Sequence, residues 1–73
     1  MAVGTRIKNY LDARGISQAW LSEQSGIFES RMSLLLNDKR RMRIDDYEKI
    51  IGVLKLPAGT FIEPVEELDE EEA

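Results

Sequence analysis

The run Lys39-Arg40-Arg41-Met42-Arg43 places four positive charges within five residues. Such a cluster neutralises phosphates and releases the counterions condensed on them, which is the chemistry of nucleic-acid binding. The bland alternative is a solvated loop whose cations favour the carboxyl end of a neighbouring helix. The density of arginine favours the phosphate reading. Other chemistry is poorly supplied. The chain has no histidine and no cysteine, so it lacks the usual general base near neutral pH, a thiolate nucleophile and the commonest zinc ligands. It has no glycine-rich phosphate cradle and no paired carboxylates in its body, so no nucleophile has a neighbouring base. The expectation is a protein that is not an enzyme and needs no cofactor and no metal. The acids Glu66, Glu67, Asp69, Glu70, Glu71 and Glu72 do not alter it, because they lack the spaced loop and turn glycine of a calcium site.

Charge must be read by position. Over all 73 residues the net charge is −4, which argues against nucleic acid. Up to Ile62, however, ten bases face seven acids and leave +3, while Glu63 onward holds seven acids and no base, giving −7. The division predicts one mildly basic domain over residues 1–62 and an acidic, flexible tail over 63–73. With 42% apolar residues the body is globular in composition, and its length allows one small core. No apolar run approaches the roughly 18–20 residues of a membrane helix, and the opening MAVGTRIKNY has no signal-like stretch. A cytoplasmic chain without membrane contact is expected.

The elements that must position the basic run follow from apolar spacing. Ile7, Tyr10 and Leu11 predict a first helix over Arg6 to Arg14, capped by Thr5 and ended by Gly15. Ser17 caps a short second helix carrying Trp20 and Leu21, which Gly26 stops. Phe28, Met32, Leu35 and Leu36 then define the buried face of a third helix, with Leu34 off that face. Asn37 to Arg41 read as a loop with nothing to bury. Ile44, Tyr47, Ile50, Ile51 and Leu54 form the cleanest stripe, a fourth helix with Asp45 and Asp46 in its first turn. A brief fifth helix over Ala58 to Ile62, with Phe61 inward, completes an all-α fold of four to five helices. The expected core is Ile7, Leu11, Leu21, Met32, Leu35, Tyr47, Ile50, Ile51 and Leu54.

Helices two and three, joined through Gly26, have helix-turn-helix spacing. The residues sharpen this: Gly15-Ile16-Ser17-Gln18, then Leu21, Gly26-Ile27, the ending Leu35-Leu36-Asn37-Asp38-Lys39, and Ile50-Ile51-Gly52-Val53-Leu54-Lys55-Leu56-Pro57. From Arg6 to Ile62 the chain resembles phage-repressor and Cro type (Xre-like) helix-turn-helix domains. The resemblance implies a homodimeric transcriptional regulator that binds double-stranded operator DNA through its third helix in the major groove. It implies a phosphate contact for Gln18, base edges facing Glu29, Ser30 and Leu34 with Arg31 and Ser33 flanking, and phosphates at Asn37, Lys39, Arg40, Arg41 and Arg43. Glu29 can accept from cytosine N4 and Leu34 can meet a thymine methyl, though neither is a strong bidentate reader. It also implies a dimer contact at the fifth helix and Val65, with apolar surface from Leu56, Phe61 and Ile62.

Two side chains read both ways. Trp20 either covers a small core over Phe61 and the last helix or marks a partner interface, where tryptophan is over-represented. Leu34 suits a thymine methyl or a protein surface. The alternative function is therefore a protein-interaction module of antitoxin or antirepressor type, using Trp20, Leu34 and the acidic tail on the same scaffold.

Overall fold

The computed structural model describes residues 2–62, and among these it contains four helices and no strand: α1 (Val3–Arg14), α2 (Gln18–Ser25), α3 (Glu29–Leu36) and α4 (Ile44–Leu54). Apolar residues from all four helices converge on one core. Ile7 and Leu11 come from α1, Leu21 from α2, Met32, Leu35 and Leu36 from α3, and Tyr47, Ile50 and Ile51 from α4. Six of these, Ile7, Leu21, Met32, Leu35, Leu36 and Ile50, are fully buried. A side chain so placed contributes about 1.5–3 kcal/mol, which is how a chain without disulfides holds together. α2 packs on both α3 and α4, while α1 packs on α3, so the inner face of α3 is covered from two sides.

Left-handed residues end the first two helices. Gly15 has φ 68° and Gly26 φ 81°, a region that glycine enters without a Cβ penalty. Ser17 Oγ accepts from the Trp20 N–H at 3.0 Å, the cap expected for α2.

Several expectations are corrected. α1 starts at Val3, three residues early, so Thr5 lies inside it and caps nothing; its hydroxyl donates to the Asp38 carboxylate instead. Phe28 is not on the buried face of α3 but 82% exposed. It is the N-cap residue, with ψ 144°, and helical periodicity does not govern a residue outside the helix. Asn37 to Arg41 are all exposed, as expected of a loop with nothing to bury, and it is the next residue, Met42, that reaches the core. On α4 the stripe is narrower than the sequence suggests, with Ile44 exposed at the first position and Leu54 only half-buried at the last.

No fifth helix forms at 58–62. Lys55 ends α4 with φ 58°, and Pro57 follows, so the chain makes turns closed by Thr60 N–H to Pro57 O at 3.0 Å and Ile62 N–H to Gly59 O at 3.2 Å. Phe61 does point inward, as the sequence predicts, and at 5% exposure it is core rather than dimer surface. Its ring meets Tyr10 edge to face with centroids 5.5 Å apart. The Tyr47 hydroxyl holds the turn by donating to Ala58 O and accepting from the Phe61 N–H at 3.4 Å. Burial raises the Tyr47 phenol above its ordinary value, partly offset by that backbone hydrogen bond. Val65 and the acidic residues from Glu63 onward lie outside the described residues.

Candidate nucleic-acid interface

The turn between α2 and α3 is short because each link is bonded. Gly26 N–H donates to Ser22 O at 3.0 Å, Ile27 N–H to Ser25 Oγ at 3.3 Å, and the Ile27 side chain is buried beneath. α3 therefore leaves the turn with a fixed axis and an outward face. On that face Glu29, Ser30 and Leu34 are exposed and Ser33 is half-buried.

Arg31 is differently committed. Its Nη2 donates to Asp46 Oδ2 at 2.8 Å, and Asp46 is itself buried on α4. The same oxygen accepts from the Arg43 backbone N–H at 3.2 Å, so one carboxylate joins α3 to the start of α4. Arg43 occupies the N-cap of α4, where an arginine side chain has no acceptor to complete the reciprocal bond. Its guanidinium is therefore not tied up in capping.

The carboxyl end of α3 folds back on itself. Asp38 takes a left-handed conformation (φ 58°), its N–H donates to Leu35 O at 3.2 Å, and the Lys39 N–H donates to Leu34 O at 2.9 Å. These two bonds make a Schellman ending with aspartate where glycine is usual. The Arg40 N–H shares Leu34 O at 3.2 Å. Asn37 donates from Nδ2 to Ser33 O at 2.8 Å and accepts from Lys8 Nζ at 3.4 Å. The site asparagine thus caps its own helix as well as standing at the surface.

Gly4 completes the junction. A Cβ there would lie 2.0 Å from Leu35 O and 2.6 Å from Asp38 Oδ1, so only glycine lets α1 approach this closely. Of the residues singled out from the sequence, Leu34, Asn37, Lys39 and Arg40 meet at this end of α3, and Arg31 and Arg43 meet through Asp46. Arg41 is exposed between them. Gln18 stands apart as the half-buried first residue of α2.

Sequence reasoning missed Gly4, Lys8, Phe28 and Met42. Glu29 signals a helix start and would have put Phe28 at the cap, and Met42 is the lone apolar residue in a basic run. Nothing in the sequence marks Gly4 as a contact point. Trp20, 44% exposed, lines a shallow apolar groove with Gly15, Ile16 and Ser17, while the aromatic partner of Phe61 is Tyr10.

Residues 6–67 match the family model of the Cro/C1-type helix-turn-helix DNA-binding domain, which spans most of the 73 residues. The chain belongs to that family. No curated protein and no solved structure matches it. In a Cro/C1-type domain α2 and α3 are the helix-turn-helix, and DNA is the partner class that membership brings. No helix among the described residues is long and apolar enough to cross a membrane.

Proposed function

We propose that this Cro/C1-type domain is a sequence-specific transcriptional regulator that binds a two-fold-related operator as a homodimer. α3 lies in the major groove with Glu29, Ser30, Ser33 and Leu34 toward base edges. Gln18, Asn37, Lys39, Arg40, Arg41 and Arg43 meet phosphates and supply most of the affinity. The observation that carries this reading is the basic loop, bonded directly to the carboxyl end of α3 through Leu34 O. Arg31 supports α3 through Asp46 rather than reading a base by itself. Half-sites stand about 34–36 Å apart or a multiple of that. With Phe61 in the core, Leu56 and Ile62 are the remaining apolar candidates among the described residues for the dimer contact.

Fluorescence anisotropy with a partially randomised duplex pool, at low and at physiological salt, tests the reading. The log–log salt slope is about −0.9 per neutralised phosphate, so Arg40→Ala/Arg41→Ala should flatten it by about 1.8 if both side chains contact phosphates. Rounds of selection should enrich a pseudo-palindrome. Absence of binding at low salt would overturn the proposal.

A second reading, the protein-interaction module, is favoured by one observation: Trp20, Phe28, Leu34 and Ile44 are all large, apolar and exposed. Such a module binds a protein partner with little salt dependence, and Trp20→Ala or Leu34→Ala weakens it while Arg40→Ala/Arg41→Ala does not.

A further inference from the structure

We propose that residues 63–73 act as an intramolecular competitor of DNA, occupying the basic loop at 39–43 until duplex phosphates displace them. The inference rests on the DNA-binding reading and adds a regulator to the same surface. Charge complementarity is its first support. The segment carries seven acids and no base, against a body of net +3 whose densest cluster is Lys39, Arg40, Arg41 and Arg43. All four of those residues are exposed, and no described carboxylate is ion-paired with Lys39 or Arg40.

The tether is the second support. The described chain ends against α1, where Phe61 O accepts from Arg6 Nη1 at 2.9 Å. Arg6 adjoins Thr5, whose hydroxyl donates to Asp38, the residue before Lys39. The last described turn is thus held to α1, the helix that also contacts the end of α3 carrying the loop. Eleven residues reach at most roughly 36–40 Å, whereas the domain's longest dimension is 30 Å. The segment can reach the loop.

Tethering makes a weak contact matter. A contact with an intermolecular dissociation constant on the order of 0.1 mM, held at an effective concentration on the order of 1 mM, leaves about a tenth of the molecules open. Apparent DNA affinity falls to that fraction of its intrinsic value. Because the contact is ionic it strengthens as salt is lowered, so the parent chain has a shallower salt slope than one whose segment is neutral.

The test uses the full chain and a variant of equal length, Glu63→Gln/Glu66→Gln/Glu67→Gln/Asp69→Asn/Glu70→Gln/Glu71→Gln/Glu72→Gln, checked for the same helix content by circular dichroism. The neutral variant is expected to bind random duplex about tenfold more tightly at low salt, with the gap closing as salt rises and shrinking when Arg40→Ala/Arg41→Ala is added to both chains. Equal affinities, or a gap indifferent to the arginine substitutions, would overturn the proposal. A second measurement needs no DNA. Amide and arginine Nε–Hε resonances of Lys39, Arg40 and Arg43 should differ between the two chains at low salt and converge at high salt, and identical spectra would overturn the docking. If neither chain binds duplex, the DNA reading fails, while the spectra still decide whether the segment occupies the loop.

Discussion

At its carboxyl end α3 is clamped by Gly4, Thr5 and Lys8 of α1 and by its own folded-back loop, whereas at its amino end Phe28 is 82% exposed and no side chain caps the helix. The two ends of the helix differ in what they contribute. Close backbone packing at one end sets the direction of the helix and the place of the cations behind it. The other end carries side chains that contribute little to the fold and are available to a partner. Opening first-turn N–H groups and an apolar ring to solvent is tolerable because the clamped end holds the helix.

The sharpest way to break this contrast is Gly4→Ala. The new methyl would collide with backbone at Leu35 O, which cannot swing aside, so α1 must shift and stability should fall by about 3 kcal/mol, the upper part of the overpacking range. Urea unfolding measures it, and a loss below about 0.5 kcal/mol would mean that the clamp is loose. Asp46→Ala comes next. It removes the acceptor shared by Arg31 and the Arg43 N–H, with an expected cost of about 2 kcal/mol, discounted from a fully buried pair because Arg31 is a third exposed. The same chain should show a disturbed α3–α4 junction in its amide spectrum.

Tyr47→Phe should cost about 1 kcal/mol through the two hydrogen bonds that hold the turn at 57–61. It also has a pH signature. The phenol is raised above about 10 in the folded state, so the folded chain retains the proton longer than the unfolded one. The resulting stability is intact below the unfolded value and is lost as pH climbs through the folded value. Tyr47→Phe should flatten that alkaline decline in thermal unfolding recorded at successive pH values. The smallest effect belongs to the open end: Phe28→Ser should change stability by no more than about 0.5 kcal/mol. A loss above about 1.5 kcal/mol would make the ring part of the fold and erase the difference between the two ends.

Much of this architecture was legible from spacing. The stripe on α4, the capping serine of α2 and the left-handed glycines at 15 and 26 all follow from local rules, because each is decided within about one helical turn. Errors arise where a distant part of the chain decides. Thr5 has the chemistry of a cap, but Asp38, thirty-three residues away, takes its hydroxyl. Ala58 to Ile62 could make a helical turn, but the Tyr47 hydroxyl fixes a different one. At the candidate interface, residue types announced the cations of the loop. Spacing could not reveal that Arg31 is held by Asp46 or that Lys8 meets Asn37, since both depend on partners that only the packing of helices brings near.

The buried Met42 has a further consequence for the loop it interrupts. A run of lysine and arginine in an unanchored segment samples many backbone states, and fixing each residue on contact costs about 1–2 kcal/mol of conformational entropy. Sinking one apolar side chain into the core restricts its neighbours Arg41 and Arg43 before any partner arrives. Under the proposed function, much of the ordering that a phosphate contact requires is therefore completed when the protein folds, and the hydrophobic core contributes indirectly to the proposed electrostatic interface.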